Sequence, residues 1–302
     1  MASIQVAGEA LVDIVNGLAY PGGSPLNVAV GLGRLGHEVT LQTGIGSDEH
    51  GRAIIEHLNA SDVLLGPDSV TESATSTATV SLDSTGQATY DFQLDWNLES
   101  VVPTDAQILH TGSIAAFAEP GCSRIHEVFA AAPAHQLRSY DPNLRPALVD
   151  KRRAVISRIE KLCALSHVVK LSDEDALWLY PGWDTARVLE HLLARGANLA
   201  VMTFGVRGCE ARTDQLEVSM PSLQVSVADT VGAGDAFMSG LLHAIGNGPL
   251  LQALVSNENL DEDALESALR TASLSAALTV QKIGANPPTL VELESCLSSV
   301  EF

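Results

Sequence analysis

The chain is predicted to be an α/β protein with a doubly wound, mainly parallel sheet flanked by helices and one small β excursion. Three observations predict it. Short apolar runs alternate with longer amphipathic stretches along the 302 residues, the pattern that strand–helix–strand units require. The composition, 46% hydrophobic with only 4% aromatic residues, suits strands covered by helices on both faces. One segment near residues 75–97 breaks the rhythm by alternating with a period of two.

In chain order, Ile4–Ala7 reads as the first strand. Gly22-Gly23-Ser24-Pro25-Leu26-Asn27 then opens a helix over Pro25–Leu35, with Ser24 expected as N-cap and Pro25 at the first helical position. Val39–Thr43 is the next strand, and Gly44-Ile45-Gly46-Ser47-Asp48 with Gly51 forms a turn before a helix over Arg52–Asn59. That spacing is not the dinucleotide-binding Gly-x-Gly-x-x-Gly. Thr75–Leu82 alternates, Asp83–Gln87 supplies turn residues, and Ala88–Leu94 alternates again, which is a hairpin. A hairpin alone is marginal and needs another strand, the domain face or a partner chain to cover it.

Further on, Ile108–Thr111, Leu137–Tyr140, His167–Leu171 and Leu199–Thr203 read as strands, and Cys122–Ala131, Lys151–Leu165, Ala186–Arg195 and Ala264–Val280 as helices. Asp141-Pro142-Asn143-Leu144-Arg145-Pro146 puts an amide and a guanidinium at the carboxyl end of a strand. In Lys170-Leu171-Ser172-Asp173-Glu174-Asp175, Ser172 is the expected cap of another helix. Thr203-Phe204-Gly205-Val206-Arg207-Gly208 joins two strands. Val225–Ala228 reads as a strand end and Ala236–Ile245 has helical spacing, which leaves Gly232, Ala233 and Gly234 at a strand-to-helix turn. The whole is expected to be one domain, residues 1–302, with the hairpin region as its sole appendage.

A formal charge of −20, from 37 acidic against 17 basic residues, disfavours nucleic acid as a partner, since phosphate-backbone binding needs clustered Lys and Arg. No apolar run has bilayer length, and Met-Ala-Ser-Ile-Gln-Val lacks the basic region of a signal peptide, so a cytoplasmic protein without a membrane partner is expected. Cys122, Cys163, Cys209, Cys296 and the nine histidines show no metal-ligand spacing. A Gly-x-x-x-x-Gly-Lys-Ser/Thr run is missing, which disfavours a Walker-type NTPase.

The chemistry is concentrated in Asp229-Thr-Val-Gly-Ala-Gly-Asp-Ala-Phe237. Amides at a helix N-terminus lack intrahelical partners and attract anions, and glycine lets the backbone approach closely. A carboxylate in that first turn, Asp235, can take the proton of a hydroxyl attacking the bound anion. A loose phosphoryl-transfer transition state asks the nucleophile for orientation more than for early deprotonation.

The full run closely resembles the second signature of the ribokinase-like sugar kinases, the phosphofructokinase-B group, and Gly22–Asn27 is similar to the first. The resemblance covers essentially the whole chain and implies a ribokinase-like fold of the fructokinase-like branch. It implies Asp235 as catalytic base, with Gly232, Ala233 and Gly234 as anion hole. Sugar contacts carried over are Asp13, Gly22, Gly23 and Asn27, with Asn143 and Arg145 facing the cleft. ATP contacts are Lys170, Ser172, Thr203, Gly205, Gly208 and Ala277. Mg²⁺ is implied through water at Asp175, and K⁺ at Asp229, the backbone of Val231 and carbonyls near Gly284. The family's small β lid maps to about 14–21 and 75–97, although Ile14–Tyr20 leaves little room for its companion strands. A lid-mediated homodimer is an open arrangement.

The implied activity is ATP-dependent transfer of the γ-phosphate to a primary hydroxyl of a small sugar, with fructose the leading substrate. Alternatives are a kinase for 2-keto-3-deoxygluconate, ribose or a nucleoside, or a catalytically silent sugar sensor. Phe92, Trp96 and Ser113–Phe117 are where substrates are expected to be told apart.

Overall fold

The structure is a computed structural model and describes residues 1–82, 88–98, 104–149 and 151–298. Its first half contains β1 (Ser3–Ala7), β2 (Leu11–Val15), β3 (Leu18–Gly22), α1 (Ser24–Arg34), β4 (Glu38–Gln42), β5 (Ile45–Gly46), α2 (Glu49–Asn59), β6 (Val63–Leu65), β7 (Val70–Thr71), β8 (Thr77–Leu82), β9 (Ala88–Gln93) and β10 (Ile108–Gly112). Then come α3 (Gly121–Ala131), β11 (Leu137–Asp141), α4 (Arg152–Leu165), β12 (Val168–Ser172), α5 (Asp173–Leu179), α6 (Thr185–Ala194) and β13 (Leu199–Thr203). The C-terminal part adds β14 (Cys209–Arg212), β15 (Glu217–Met220), α7 (Ala233–Asn247), α8 (Leu250–Ser256), α9 (Glu262–Val280) and α10 (Leu290–Leu297).

Among the described residues, nine strands form one sheet in the order β15-β14-β13-β12-β11-β10-β1-β4-β6. It is parallel from β13 to β6, and β14 and β15 add antiparallel at one edge. The winding reverses between β1 and β10, and ligands of doubly wound sheets bind beyond the strand carboxyl ends at such a switch point. Alternate side chains of a strand point to opposite faces, and the core divides accordingly. Leu199 and Val201 join a cluster with the buried faces of α1, α7 and α9, whereas Ala200 and Met202 join the cluster under α3, α4 and α6. Among the described residues no helix is long and apolar enough to cross a membrane.

The expected hairpin forms from β8 and β9, and the turn expected at Asp83–Gln87 lies outside the described residues. It is covered by further strands: β8 pairs in parallel with β2, and β2 pairs with β3, giving the order β3-β2-β8-β9. The stretch that left little room for companion strands thus holds two of them. Asn16 and Gly17, with φ of 52° and 76°, make a two-residue turn whose twist matches the flanking strands, so few residues suffice.

Two local expectations are corrected. Val225–Ala228 is not a strand: β15 ends the sheet at Met220, Pro221 follows, and the amides of Ala228 and Asp229 donate instead to Val280 O at the end of α9. The N-cap of α1 is Gly23, and the Ser24 side chain makes no capping bond. Ser172 does cap α5, in a reciprocal box with Asp175, and Asp48 caps α2 through the Gly51 amide.

Candidate active site

Released from capping, the Ser24 hydroxyl donates to Asp235 Oδ1 at 2.7 Å. Asn27 sits one turn along α1, so its Nδ2 reaches Asp235 Oδ2 at 2.8 Å. Asn143 closes the group by donating from Nδ2 to Ser24 Oγ at 2.9 Å and to Asp235 Oδ1 at 3.3 Å. Its φ of 35° lies in a region that Asn tolerates better than most residues, and it turns the amide back toward α1. Residues far apart in sequence therefore fix both oxygens of one buried carboxylate.

Asp235 lies in the first turn of α7, whose N-cap is Gly232 with φ 77°. A Cβ at Gly232 would lie 2.7 Å from Ala285 Cβ, so glycine is needed for conformation and close approach alike. First-turn amides and the helix dipole favour negative charge at this end of α7, and the Ala233 amide also leans on Thr230 O at 3.3 Å. The predicted base and the predicted anion hole are thus adjacent.

Asp13, expected on the sugar, lies on β2 opposite Tyr20 of β3, and its Oδ2 would be 2.3 Å from a Cβ placed on Gly22. Burial pushes the Asp13 carboxyl up to about 6, with Arg145 pulling it back down. The Arg145 guanidinium donates to Asn143 O at 3.0 Å and to Asn143 Oδ1 at 2.6 Å, anchoring the loop after β11. Asn27 Oδ1 is buried without a protein partner. Its amide thus retains one acceptor for a ligand hydroxyl, although its donor is engaged by Asp235 rather than by sugar.

Sequence reasoning missed Glu9. Its Oε2 accepts from the Ala115 amide at 2.9 Å, its Oε1 has no protein partner, and burial pushes its carboxyl up to about 7. It follows the carboxyl end of β1 and ties the 3₁₀ turn Ser113–Ala116, entered at Ser113 with φ 54°, to the centre of the sheet. Trp96 and Phe117, expected to discriminate substrates, are buried in the core.

On the far side, Thr203 ends β13, and Gly205–Arg207 forms a 3₁₀ turn closed by Phe204 N donating to Gly208 O at 2.8 Å. This is the hairpin into β14, with Gly205 and Gly208 at positive φ. Ala277 lies buried on α9. Asp175 is engaged by protein on both oxygens: Oδ1 accepts from the Leu144 amide at 2.8 Å, and Oδ2 from Ser172 N and Oγ at 3.0 and 2.8 Å. Lys170, expected on the nucleotide, is turned inward, donating to Asp141 Oδ2 at 2.7 Å.

Asp229, Val231 and Gly284 do come together. Asp229 Oδ1 accepts from Val231 N at 3.1 Å and Oδ2 from Gly284 N at 2.9 Å. Among the described residues no group of three or more His, Cys, Asp or Glu is placed to hold a metal. A cation here would rest on one carboxylate and backbone carbonyls, a donor set suited to a large monovalent ion rather than a transition metal.

A family profile described as pfkB family carbohydrate kinase matches residues 6–291. The chain belongs to that family. A fructokinase of Rhizobium leguminosarum bv. trifolii is 35% identical to this carbohydrate kinase over 282 residues, covering 87% of the present chain and 86% of the relative. Among solved structures, a fructokinase from Xylella fastidiosa with bound ATP superposes with a TM-score of 0.87 at 28% identity, covering 98% of both chains. A double-mutant fructokinase from Vibrio cholerae O395 in its fructose, ADP and potassium ion bound form does so with 0.84 at 25% identity, again over 98% of both chains. The ribokinase-like fold expected from the two signatures is therefore the fold of this family member.

Proposed function

We propose that this family member is an ATP-dependent fructokinase, a single kinase domain that phosphorylates a primary hydroxyl of D-fructose. The observation that carries the reading is the clamping of Asp235 by Ser24, Asn27 and Asn143 at the N-terminus of α7. A fixed carboxylate beside a helix-terminal anion site is what phosphoryl transfer to an alcohol needs. Fructose is favoured over other sugars by the relatives named fructokinase and by the Vibrio cholerae structure in its fructose-bound form.

Asp13 and Asn27 Oδ1 accept hydrogen bonds from sugar hydroxyls, and Arg145 holds Asn143 in place. Asp235 takes the proton of the primary hydroxyl as that oxygen bonds to the γ-phosphorus and the bond to the ADP oxygen breaks. The Gly232, Ala233 and Gly234 amides stabilise the charge on the transferred group. The nucleotide lies along Thr203, Gly205, Gly208 and Ala277. Mg²⁺ bound to ATP would supply neutralisation of its phosphates, and Asp229 with backbone carbonyls near Val231 and Gly284 would hold a K⁺ that would supply fixed positive charge beside the anion hole. The small sheet acts as a lid and excludes water that would hydrolyse ATP.

The test is ADP release with Mg-ATP and K⁺ across fructose, ribose, 2-keto-3-deoxygluconate and adenosine. Turnover with fructose is expected, and Asp235→Asn should retain sugar binding while losing about 100- to 10,000-fold in kcat, the range of general-base contributions. Turnover confined to another substrate replaces fructose. Binding without turnover anywhere rejects the kinase reading in favour of a sensor.

A further inference from the structure

Asp141 ends β11 and Lys170 lies in the adjacent strand β12, and their side chains form an ion pair of 2.7 Å with 0% and 4% exposure respectively. The same Nζ approaches Gly234 O at 3.4 Å and would lie 3.3 Å from a Cβ on Gly234. On the next strand, β10, buried His110 is held neutral down to about 3 by burial and by the Lys170 charge.

Two features argue that the pair is not there for stability. Buried ion pairs are often no better than apolar side chains of similar volume. This one is also incompletely satisfied, because Asp141 Oδ1 is buried without a partner. What it achieves is placement: its cationic end faces the peptide between the anion hole and the base, beneath the N-terminus of α7.

We propose that Lys170, held by Asp141, is a positioning residue for phosphoryl transfer, fixing the Gly234 peptide and turning the cationic end of a buried ion pair toward it from behind the anion hole without touching substrate. This rests on the kinase reading. Lys170 neutralises Asp141, so that the arriving phosphates meet Asp235 without a second uncompensated carboxylate behind it. A preorganised charge of this kind acts most strongly where water is excluded.

The experiment measures kcat, both KM values and Tm for Lys170→Met, Asp141→Asn and the double variant. Lys170→Met strands a buried carboxylate and is expected to lower Tm; kcat should fall about 100-fold, as for loss of a preorganised transition-state donor. The double variant removes the stranded charge and is expected to regain Tm while kcat stays about 100-fold down and both KM values stay within about threefold of wild type. Asp141→Asn keeps the ammonium and should lose less than about tenfold in kcat. Recovery of kcat together with Tm in the double variant would make the pair purely structural and overturn the proposal. Should the double variant not fold, an Asp141→Asn kcat as low as that of Lys170→Met overturns it equally. A wild-type chain that releases no ADP with any sugar removes the kinase reading, and this inference with it.

Discussion

Ser24 Oγ donates to Asp235 Oδ1 at 2.7 Å, joining two residues 211 positions apart. Ser24 in turn accepts from Asn143, so the carboxylate is oriented by a hydrogen-bonded relay rather than by one neighbour. Ser24→Ala is expected to lower kcat about 10- to 100-fold, matching the roughly 1.5–3 kcal/mol of a hydrogen bond to a charged group. Tm should hardly move, because Gly23 and not Ser24 caps α1. A large Tm loss with unchanged kcat would return Ser24 to a structural role.

Glu9 makes stability depend on pH. Its carboxyl titrates near 7 in the folded chain, against 4.5 ordinarily, because burial disfavours the charge. Stability is therefore complete below about 4.5 and is lost as pH rises through about 7, by roughly 3 kcal/mol at 1.36 kcal/mol per unit. Glu9→Gln should be more stable than wild type at pH 8 and indistinguishable near pH 4.5. Urea denaturation at the two pH values decides it.

Asp13 gives a separate pH signature in activity. Its carboxyl is pushed up to about 6, and its ionised form is the acceptor proposed for sugar hydroxyls. Fructose kcat/KM is expected to fall as pH drops through about 6, by up to about tenfold per unit. Asp13→Asn should be impaired at every pH and lose that inflection. A variant that keeps the inflection assigns it elsewhere.

Gly232→Ala combines positive φ with a 2.7 Å approach to Ala285 Cβ. Strain of about 1–2 kcal/mol is expected in urea denaturation. Displacement of the anion hole by about 1 Å should lower kcat about 100-fold. Full activity in a destabilised protein would show that the loop re-forms around the methyl group.

The alternation of strands and helices was enough to read the large sheet, and the run Asp229–Phe237 to place Asp235 in the first turn of a helix beside Gly232, Ala233 and Gly234. Both signals are local patterns, readable without knowing which strands pair. Ser24 was misjudged because capping explained it locally, whereas its real acceptor lies on α7. The resemblance placed Lys170 on the nucleotide, and nothing in the sequence signals that its ammonium donates to Asp141. Glu9 carries no motif of its own, and its bond to Ala115 spans 106 positions. Asn16-Gly17 was legible as a turn signal but was overlooked, and with it β2 and β3.

The small sheet has a consequence for how the chain assembles. Its two hairpins are local, but they are joined by the β2–β8 pairing, which sets Val12 beside Thr77. Between those partners lie α1, β4, α2 and β6, all elements of the main body. Loop-closure entropy opposes such a pairing until the intervening chain has condensed. The hairpins can nucleate early, but their union is expected to come late in folding. The β2–β8 amides are accordingly expected to exchange with solvent before those of the nine-stranded sheet, which native-state hydrogen exchange would read.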